Sequence, residues 1–321
     1  MSRPFLPAEL GPHFRVGDAL RAGLTRARLR HPSFRRPFHG VRSLDPDVSS
    51  SWSTPILGAR GANEEAHIYR ALAYSAVAAT GVFFSHVTAA VLWGLPLPAS
   101  LVRTESIDVS VWAPGRAPRG RGVRGHQAHE KLTHVRRHPA TGLLVTSPAT
   151  TWAALAAVLP DVRDVVAVGD AAVRSWRVTA PLAELHELAA AAEAGRRVGV
   201  VRLRKALPQI RTRSASRPET HLRLVVVDDG LPEPELNFEV VEAGMYLAAL
   251  DLAYPELKIG LEYEGEHHLL DPEQWALDIA RYERLAAAGW IIIRVTKKQL
   301  FTDPAEVVAR VRRAFATRLP R

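Results

Sequence analysis

Apolar residues recur at helical spacing in some segments and at strand spacing in others over the last hundred residues of the chain. The pattern predicts a helix, three strands, a helix, a strand and a final helix, at 218–228, 235–242, 246–254, 257–264, 272–288, 290–296 and 304–317. Asp271 and Pro272 supply a cap and a first-turn proline for the middle helix, and Gly289 ends it. This order is typical of an α+β domain with a central meander.

The first segment, Phe14 to Leu44, predicts a different unit. Val16, Ala19 and Leu20 give one helical face, Gly23 ends that helix, and Thr25 can cap a second helix. After His31-Pro32 the sequence FRRPFHGVRS predicts a short basic strand pair. This is the order of a winged helix-turn-helix, whose second helix enters the major groove. Its candidate nucleic-acid contacts are Arg26, Arg28, Arg30, Arg35 and Arg36. A solvated basic face is the alternative interpretation.

The middle of the chain alternates buried-looking helices with strand-like runs such as SIDVSVWAP and GLLVTSP. Residues 71–102 contain no charged residue, but Gly81, Gly94 and two prolines interrupt them, which favours two buried helices with a turn over a membrane span. Ser147 or Thr146 before Pro148 marks the start of the next helix. Asp170 lies in an apolar stretch and is predicted as a buried structural carboxylate.

Charge divides the chain in two. Residues 216–321 carry 18 acidic and 13 basic side chains, a net charge of −5, whereas residues 1–215 have a net charge of +14. The basic N-terminal part favours a polyanionic partner, and the acidic C-terminal part can concentrate carboxylates that bind a cation. Cysteine is absent, which excludes disulfides, thiolate nucleophiles and cysteine-ligated zinc. The first residues contain no apolar core of a secretory signal, so the expected location is the cytoplasm.

The chemistry concentrates in one stretch, LDLAYPELKIGLEYEGEHHLL at 250–270. If it forms a tight hairpin around Pro255, Asp251 falls opposite Glu262, and Glu264 shares the face of Glu262. Like charges placed opposite each other destabilise a hairpin, so a cation between them is expected. Oxygen ligands of this kind suit Mg²⁺ or Mn²⁺, bound by Asp251, Glu262 and Glu264. A solvated acidic edge that blocks aggregation is the alternative.

Such a metal site would serve phosphodiester hydrolysis, which needs positioning and charge stabilisation more than a covalent nucleophile. His268 or His267 can then orient water or protonate the leaving oxygen, because imidazole titrates near neutrality. Surface histidines in a loop are the alternative for this pair.

Five blocks of residues 214–315 resemble the very-short-patch mismatch-repair endonucleases of the PD-(D/E)XK nuclease superfamily: SRPETHLR, GLPEPELNFEV, LDLAYPE, LEYEGEHH and RYERLAAAGWIIIRVT. The resemblance implies a metal-dependent nuclease fold. In it, Asp251 matches the aspartate of the core hairpin, Glu219 a glutamate of the first helix, and Glu262 and Glu264 the acidic pair. His268 matches a histidine past the glycine, and Arg281 a helix arginine that faces the site.

One position departs from that superfamily. Its lysine after the second acidic residue is absent, since Gly265 follows Glu264. In the repair-type branch a histidine replaces this lysine, which directs attention to His268, and Arg281 is a second source of positive charge. A catalytically inactive, DNA-binding descendant is the alternative that this departure leaves open.

The front of the chain resembles the winged-helix and following domain of AbiEi-type antitoxins, through FRVGDALRAGLTRARLRHPSFRRPFHGVRS, SHVTAAVLWGLPLP and GLLVTSPATTWAALAAVLPDVRDVVAVGDAAVR. It implies binding to DNA, either as a transcriptional regulator or antitoxin or to target a nuclease.

The predicted architecture is therefore α+β. It has a winged helix-turn-helix at 1–55, a helical or mixed middle domain at 56–211, and a restriction-endonuclease-like domain with a central mixed sheet at 212–321. Duplex DNA is the expected partner; a toxin or repair protein and a second copy of the chain are further candidates, and a membrane is not.

Overall fold

The structure is a computed structural model that describes residues 6, 7, 9–44, 61–103, 105–178, 180–265 and 272–319, with only the backbone for 272–276. Contacts within the chain separate two units. The first comprises Met1–Leu159 and Leu185–Leu203, and the second comprises Pro160–Glu184 and Arg204–Arg321.

The first unit begins with a small antiparallel sheet. It contains β1 (His13–Arg15), helix α1 (Val16–Arg21), β2 (Phe34–Arg35) and β3 (Val41–Leu44), with the strands in the order β1-β3-β2. Phe14, Ala19, Leu29 and Phe34 form its core. The predicted strand pair is confirmed. The predicted second helix is not: a single 3-10 turn spans Arg28–Arg30, because Pro32 follows two residues after the turn and too few residues remain for a helical nucleus.

The middle of the first unit is built on a six-stranded sheet in the order β6-β7-β5-β4-β9-β8. In chain order its elements are α2 (Ala62–Ser75), β4 (Phe83–Phe84), α3 (His86–Trp93), α4 (Ala99–Val102), β5 (Ile107–Trp112), β6 (Arg119–Gly120), β7 (Val123–Ala128), β8 (Val135–Arg137), β9 (Leu144–Thr146) and α5 (Pro148–Leu155). Ser147 caps α5 by accepting a hydrogen bond from the Thr150 amide, as the sequence predicts. Among the described residues, no helix has the length and apolar character needed to cross a membrane.

The remaining elements complete the first unit and form the second, whose sheet has four strands. They are α6 (Val162–Val173), α7 (Leu185–Glu193), α8 (Val200–Ala206), α9 (Arg217–Asp228), β10 (Glu235–Glu242), β11 (Met245–Tyr254), β12 (Ile259–Glu264), α10 (Pro272–Ala287), β13 (Ile291–Thr296), α11 (Lys297–Thr302) and α12 (Pro304–Arg318). The sheet runs β10-β11-β12-β13. Its first two pairings are antiparallel and the last is parallel, so the sheet is mixed.

Two apolar clusters cover this sheet. One joins β11, β12 and β13 to α9, α11 and α12, and includes Ile259 and Leu261; the other joins Val240 and Leu250 to Leu285 of α10. Side chains alternate between the two faces along a strand. Glu262 therefore lies on the face opposite to Leu261, which is the face on which α10 packs. The described elements confirm a mixed α+β fold.

Candidate active site

The hairpin of β11 and β12 positions Asp251. Leu252 pairs with Leu261 and Tyr254 with Ile259, so Asp251 directly precedes the paired residues of β11 and Glu262 directly follows those of β12. The connection is a 3-10 turn, Pro255–Leu257, which is why β12 begins two residues later than its sequence pattern suggests. The Tyr263 amide donates a hydrogen bond to Asp251 Oδ2 at 2.8 Å. The hairpin therefore holds this carboxylate against the neighbouring strand.

Helix α9 positions Glu219 in its first turn. Ser216 caps the helix by accepting from the Glu219 amide, and Pro218 occupies an early position where no amide donor is needed. The Glu219 side chain is 8% exposed, and its Oε2 accepts from the Ala215 amide at 2.9 Å and from Asn237 Nδ2 at 3.1 Å. These two donors fix the orientation of a buried carboxylate.

Asn237 has an unusual backbone for a strand residue, with φ of 47°. The ladder of β10 and β11 passes from Leu236–Leu252 to Phe238–Leu250, so Asn237 lies at the level of Asp251. Asparagine tolerates the left-handed region better than most residues. Sequence reasoning did not identify Asn237 as a site residue, although it lies in a block that resembles the nucleases; its buried contact with Glu219 depends on tertiary structure.

Three carboxylates from separate elements interact at this point. Burial, followed by the negative charges of Glu219 and Glu262, raises the pKa of Asp251 to about 7, against the opposing effects of the Tyr263 amide and Arg281. A carboxyl with such a pKa is poised to take up or release a proton near neutral pH. The structure thus brings Glu219, Asp251 and Glu262 together.

Glu262 has a cationic partner of its own. Arg281 of α10 donates two hydrogen bonds to it, from Nη1 to Oε1 at 2.8 Å and from Nη2 to Oε2 at 2.9 Å, and the Tyr282 hydroxyl donates to the same Oε2. The carboxylate is 5% exposed. A buried glutamate with a two-pronged arginine is already neutralised by the chain itself.

Glu264 lies next to this pair. Its Oε1 accepts from Arg294 Nε of β13 and lies 3.0 Å from the Tyr282 hydroxyl oxygen, so the two carboxylates share the single proton of that hydroxyl. Both Arg281 and Arg294 lie over the Tyr282 ring, at 4.6 and 4.9 Å from its centre. Burial and the hydrogen bond to Glu262 raise the pKa of Tyr282, so the phenol stays protonated and acts as a donor. Sequence reasoning missed Tyr282, whose role follows from the packing of α10 on the sheet, and Arg294, whose role follows from the parallel pairing of β12 with β13.

A network between α6 and α9 holds the helix that carries Glu219. Asp170 is 1% exposed and accepts from the Arg211 amide, from the Thr220 hydroxyl and from Arg223, which confirms it as a buried structural carboxylate. Burial raises its pKa to about 6, although Arg223 opposes this change. On the same helices, Asp164 accepts from Arg217 and His221. These contacts anchor the first two turns of α9.

The structure does not bring the three predicted metal ligands, Asp251, Glu262 and Glu264, into one metal-binding group. Across the described ranges, no group of three or more His, Asp or Glu side chains is arranged to hold a metal ion. Two oxygen ligands are available in the interacting pair of Asp251 and Glu219, whereas Arg281 occupies Glu262. His268, the predicted catalytic histidine, lies outside the described residues.

The five arginines predicted to contact nucleic acid, Arg26, Arg28, Arg30, Arg35 and Arg36, are all exposed. Thr25 accepts a hydrogen bond from the Arg28 amide at the start of the 3-10 turn. Leu29 is buried beneath it, 2% exposed. Arg28 and Arg30 therefore lie on a short turn anchored by one leucine, whereas Arg35 ends β2 and Arg36 follows it.

These features define a mixed α+β protein with a buried carboxylate cluster in its C-terminal sheet. The chain is 31% identical, over 226 residues, to the uncharacterized proteins MT2308 and Rv2248 of two Mycobacterium tuberculosis strains, CDC 1551 / Oshkosh and H37Rv. The match covers 70% of this chain and 78% of each relative, so the chain belongs to the same protein family as they do. No family model and no solved structure matches it.

Proposed function

We propose that the protein is a Mg²⁺-dependent endonuclease that hydrolyses phosphodiester bonds in DNA, with a nuclease-like C-terminal domain and a basic, winged-helix-like front that targets it. The observation that carries the proposal is the position of Asp251. It is half-buried between Glu219 and Glu262, and its burial, followed by the charges of these two glutamates, raises its pKa to about 7. Buried carboxylates with strongly perturbed pKa values are concentrated at functional sites.

The carboxylates of Asp251 and Glu219 are suitable ligands for Mg²⁺. This ion takes one or two protein carboxylates and completes its shell with water and phosphate oxygens, so three protein ligands are not required. Asp251 and Glu219 would hold it. Mg²⁺ at this point would lower the pKa of a bound water and offset charge on the phosphate during hydrolysis. Mn²⁺ suits the same oxygen ligands.

The side chains around this pair have supporting roles. Asn237 and the Ala215 amide hold Glu219 in place, and the Tyr263 amide holds Asp251. Arg281 holds Glu262 in place beside them through two hydrogen bonds. Because Arg281 is bonded to Glu262, this arginine could bind a phosphate only if the ion pair rearranged.

Cleavage assays test the proposal. Supercoiled plasmid, mismatched duplex and single-stranded DNA are incubated with the full chain and Mg²⁺, Mn²⁺ or EDTA. We expect metal-dependent cleavage that Asp251→Asn abolishes and Glu219→Gln reduces at least tenfold. Glu256→Gln, an exposed residue of the same hairpin, is the matched control and should cleave like the wild type. Activity that is unchanged by Asp251→Asn would exclude this site.

A second candidate function is a non-catalytic DNA-binding regulator or antitoxin with a degenerate nuclease domain. It is favoured by the ion pairs of Glu262 and Glu264, which leave neither acidic residue available to a metal without rearrangement. In that case no substrate is cut, and salt-sensitive duplex binding survives Asp251→Asn but is lost when Arg26 and Arg28 are replaced by glutamine.

A further inference from the structure

A basic groove lies in the first unit. It has a volume of about 970 Å³. Five arginines line it, from the β2–β3 connection, β3, α2 and the hairpin of β6 and β7: Arg36, Arg42, Arg70, Arg119 and Arg121. Among the described residues of its lining, Glu105 is the one carboxylate. Residues distant in sequence thus converge into a site with a large excess of positive charge.

Arg42 lies at the base of the groove and is only partly exposed. Its Nε donates to the Leu29 carbonyl and its Nη1 to the Val41 carbonyl, each at 2.9 Å, so its bonds fix its direction without neutralising its charge. Burial, and then the neighbouring charge of Arg36, lowers the pKa of Arg42. Like charges held this close favour an anion between them.

Arg70 of α2 forms a second wall. Its guanidinium lies 5.0 Å from the centre of the Phe38 ring, and a β-carbon on Gly122 would overlap its Nη2. Gly122 has φ of 74°, so glycine both permits the turn and leaves room for the arginine. Within the part of the chain that the structure describes, the buried Arg70 Nε has no hydrogen-bond partner. The guanidinium therefore contributes positive charge to the groove, with its position set by Phe38 and by the room that Gly122 leaves.

We propose that this groove binds a group of two or more adjacent phosphates. Guanidinium groups match phosphate oxygens with paired hydrogen bonds, and several arginines around one cavity suit a compact polyanion better than a single carboxylate. The volume lies at the upper end of the roughly 300–1,000 Å³ found for small-molecule sites. The phosphates can belong to a free polyphosphate, such as a nucleoside triphosphate, or to a nucleic-acid backbone; both present the same chemistry. The site does not depend on the proposed nuclease reaction.

Binding measurements on the full-length Asp251→Asn chain test this proposal without cleavage of the probe. Calorimetry with inorganic pyrophosphate, in phosphate-free buffer at low salt, reports free polyphosphate binding, and fluorescence anisotropy with a labelled duplex reports backbone binding. The groove variant is Arg119→Gln with Arg121→Gln; both residues are exposed, so the fold should be retained. Arg116→Gln, exposed on the preceding connection and outside the lining, is the matched control.

We expect pyrophosphate to bind with one-to-one stoichiometry and the groove variant to weaken it at least tenfold, with no effect of Arg116→Gln. If the source is a duplex backbone, the slope of log affinity against log salt falls by about 2 in the groove variant, since each lost phosphate contact removes about 0.9. Competition between pyrophosphate and duplex would place both in this groove. The proposal is overturned if neither probe binds, or if the groove variant and the control bind alike.

Discussion

Replacing Asp251 by asparagine removes one half-buried ionisable carboxyl and changes the shape of the side chain very little. Asparagine keeps an oxygen that can accept the Tyr263 amide, whereas the repulsion from Glu219 and Glu262 disappears. In the wild type this repulsion and burial raise the pKa of Asp251 from its ordinary value of 3.8 to about 7. The variant therefore isolates the cost of ionising the carboxyl inside the folded protein.

The sign of the pH dependence follows from proton binding. Between pH 4 and 7 the unfolded chain has lost the Asp251 proton, while the folded chain still holds it, so the free energy of unfolding falls as pH rises through this interval. The difference between an unfolded-state pKa of 3.8 and a folded-state pKa of about 7 corresponds to a decrease of about 4 kcal/mol in the free energy of unfolding. The decrease is complete once the pH exceeds the folded-state pKa. The asparagine variant lacks this loss.

The assay is urea denaturation followed by tryptophan fluorescence, for wild type and Asp251→Asn, at intervals from pH 4 to 8. Other titrating groups, such as Asp170, contribute equally to both chains and cancel in the difference. We expect the variant to gain on the wild type by about 4 kcal/mol across this range, an upper value because neighbouring carboxylates share the proton. Glu256→Gln should give a flat difference.

Magnesium adds an independent arm to the experiment. At pH 8 the ion should stabilise the wild type, because binding to the folded state alone raises the free energy of unfolding with ion concentration, and it should not stabilise Asp251→Asn. Parallel pH profiles for the two chains would refute the electrostatic reasoning. A pH-dependent difference without any magnesium effect would retain the strained carboxylate and reject its role as a metal ligand.

Three further predictions concern the surroundings of the two sites. Arg281→Ala leaves Glu262 buried without its guanidinium partner and should lower the free energy of unfolding by about 2 to 3 kcal/mol in urea titrations, with much of the loss recovered by adding Glu262→Gln. Asn237→Ala should cost about 1 kcal/mol more than Asn237→Gly in the same assay, because glycine adopts the left-handed backbone freely. Gly122→Ala should displace Arg70 and weaken pyrophosphate binding measured by calorimetry; unchanged affinity would exclude Arg70 from that site.

The C-terminal fold is largely readable from the sequence because its local signals agree. Pro218 and Pro272 mark helix starts, Gly289 ends α10 with φ of 82°, and the alternation of apolar residues gives the strands within one or two residues. The hairpin prediction follows from the same pattern, since a register shift by one residue would turn every buried side chain to the other face. Asp251 and Glu262 were thus predictable neighbours.

The partners of the acidic residues were not predictable in the same way. Which arginine reaches Glu262 depends on how α10 rotates over the sheet, and the position of Arg294 beside Glu264 depends on parallel pairing between β12 and β13. Neither leaves a local pattern in the sequence. The helix predicted around Arg28–Arg30 failed for a different reason. The cap at Thr25 favours a helix there, but the following proline limits it to a 3-10 turn.

The contrast among the buried acids of the second unit bears on function. Asp164, Asp170 and Glu262 each form an ion pair with an arginine inside the unit. Within the described ranges no such ion pair forms at Glu219, which accepts from the Ala215 amide and Asn237, or at the half-buried Asp251, whose donor is the Tyr263 amide. For stability alone, asparagine or an apolar residue at this position would avoid the cost of ionisation. An acid held without an arginine between two other acids is consistent with a site completed by a cation from solution, and this supports the metal-dependent function over the non-catalytic one.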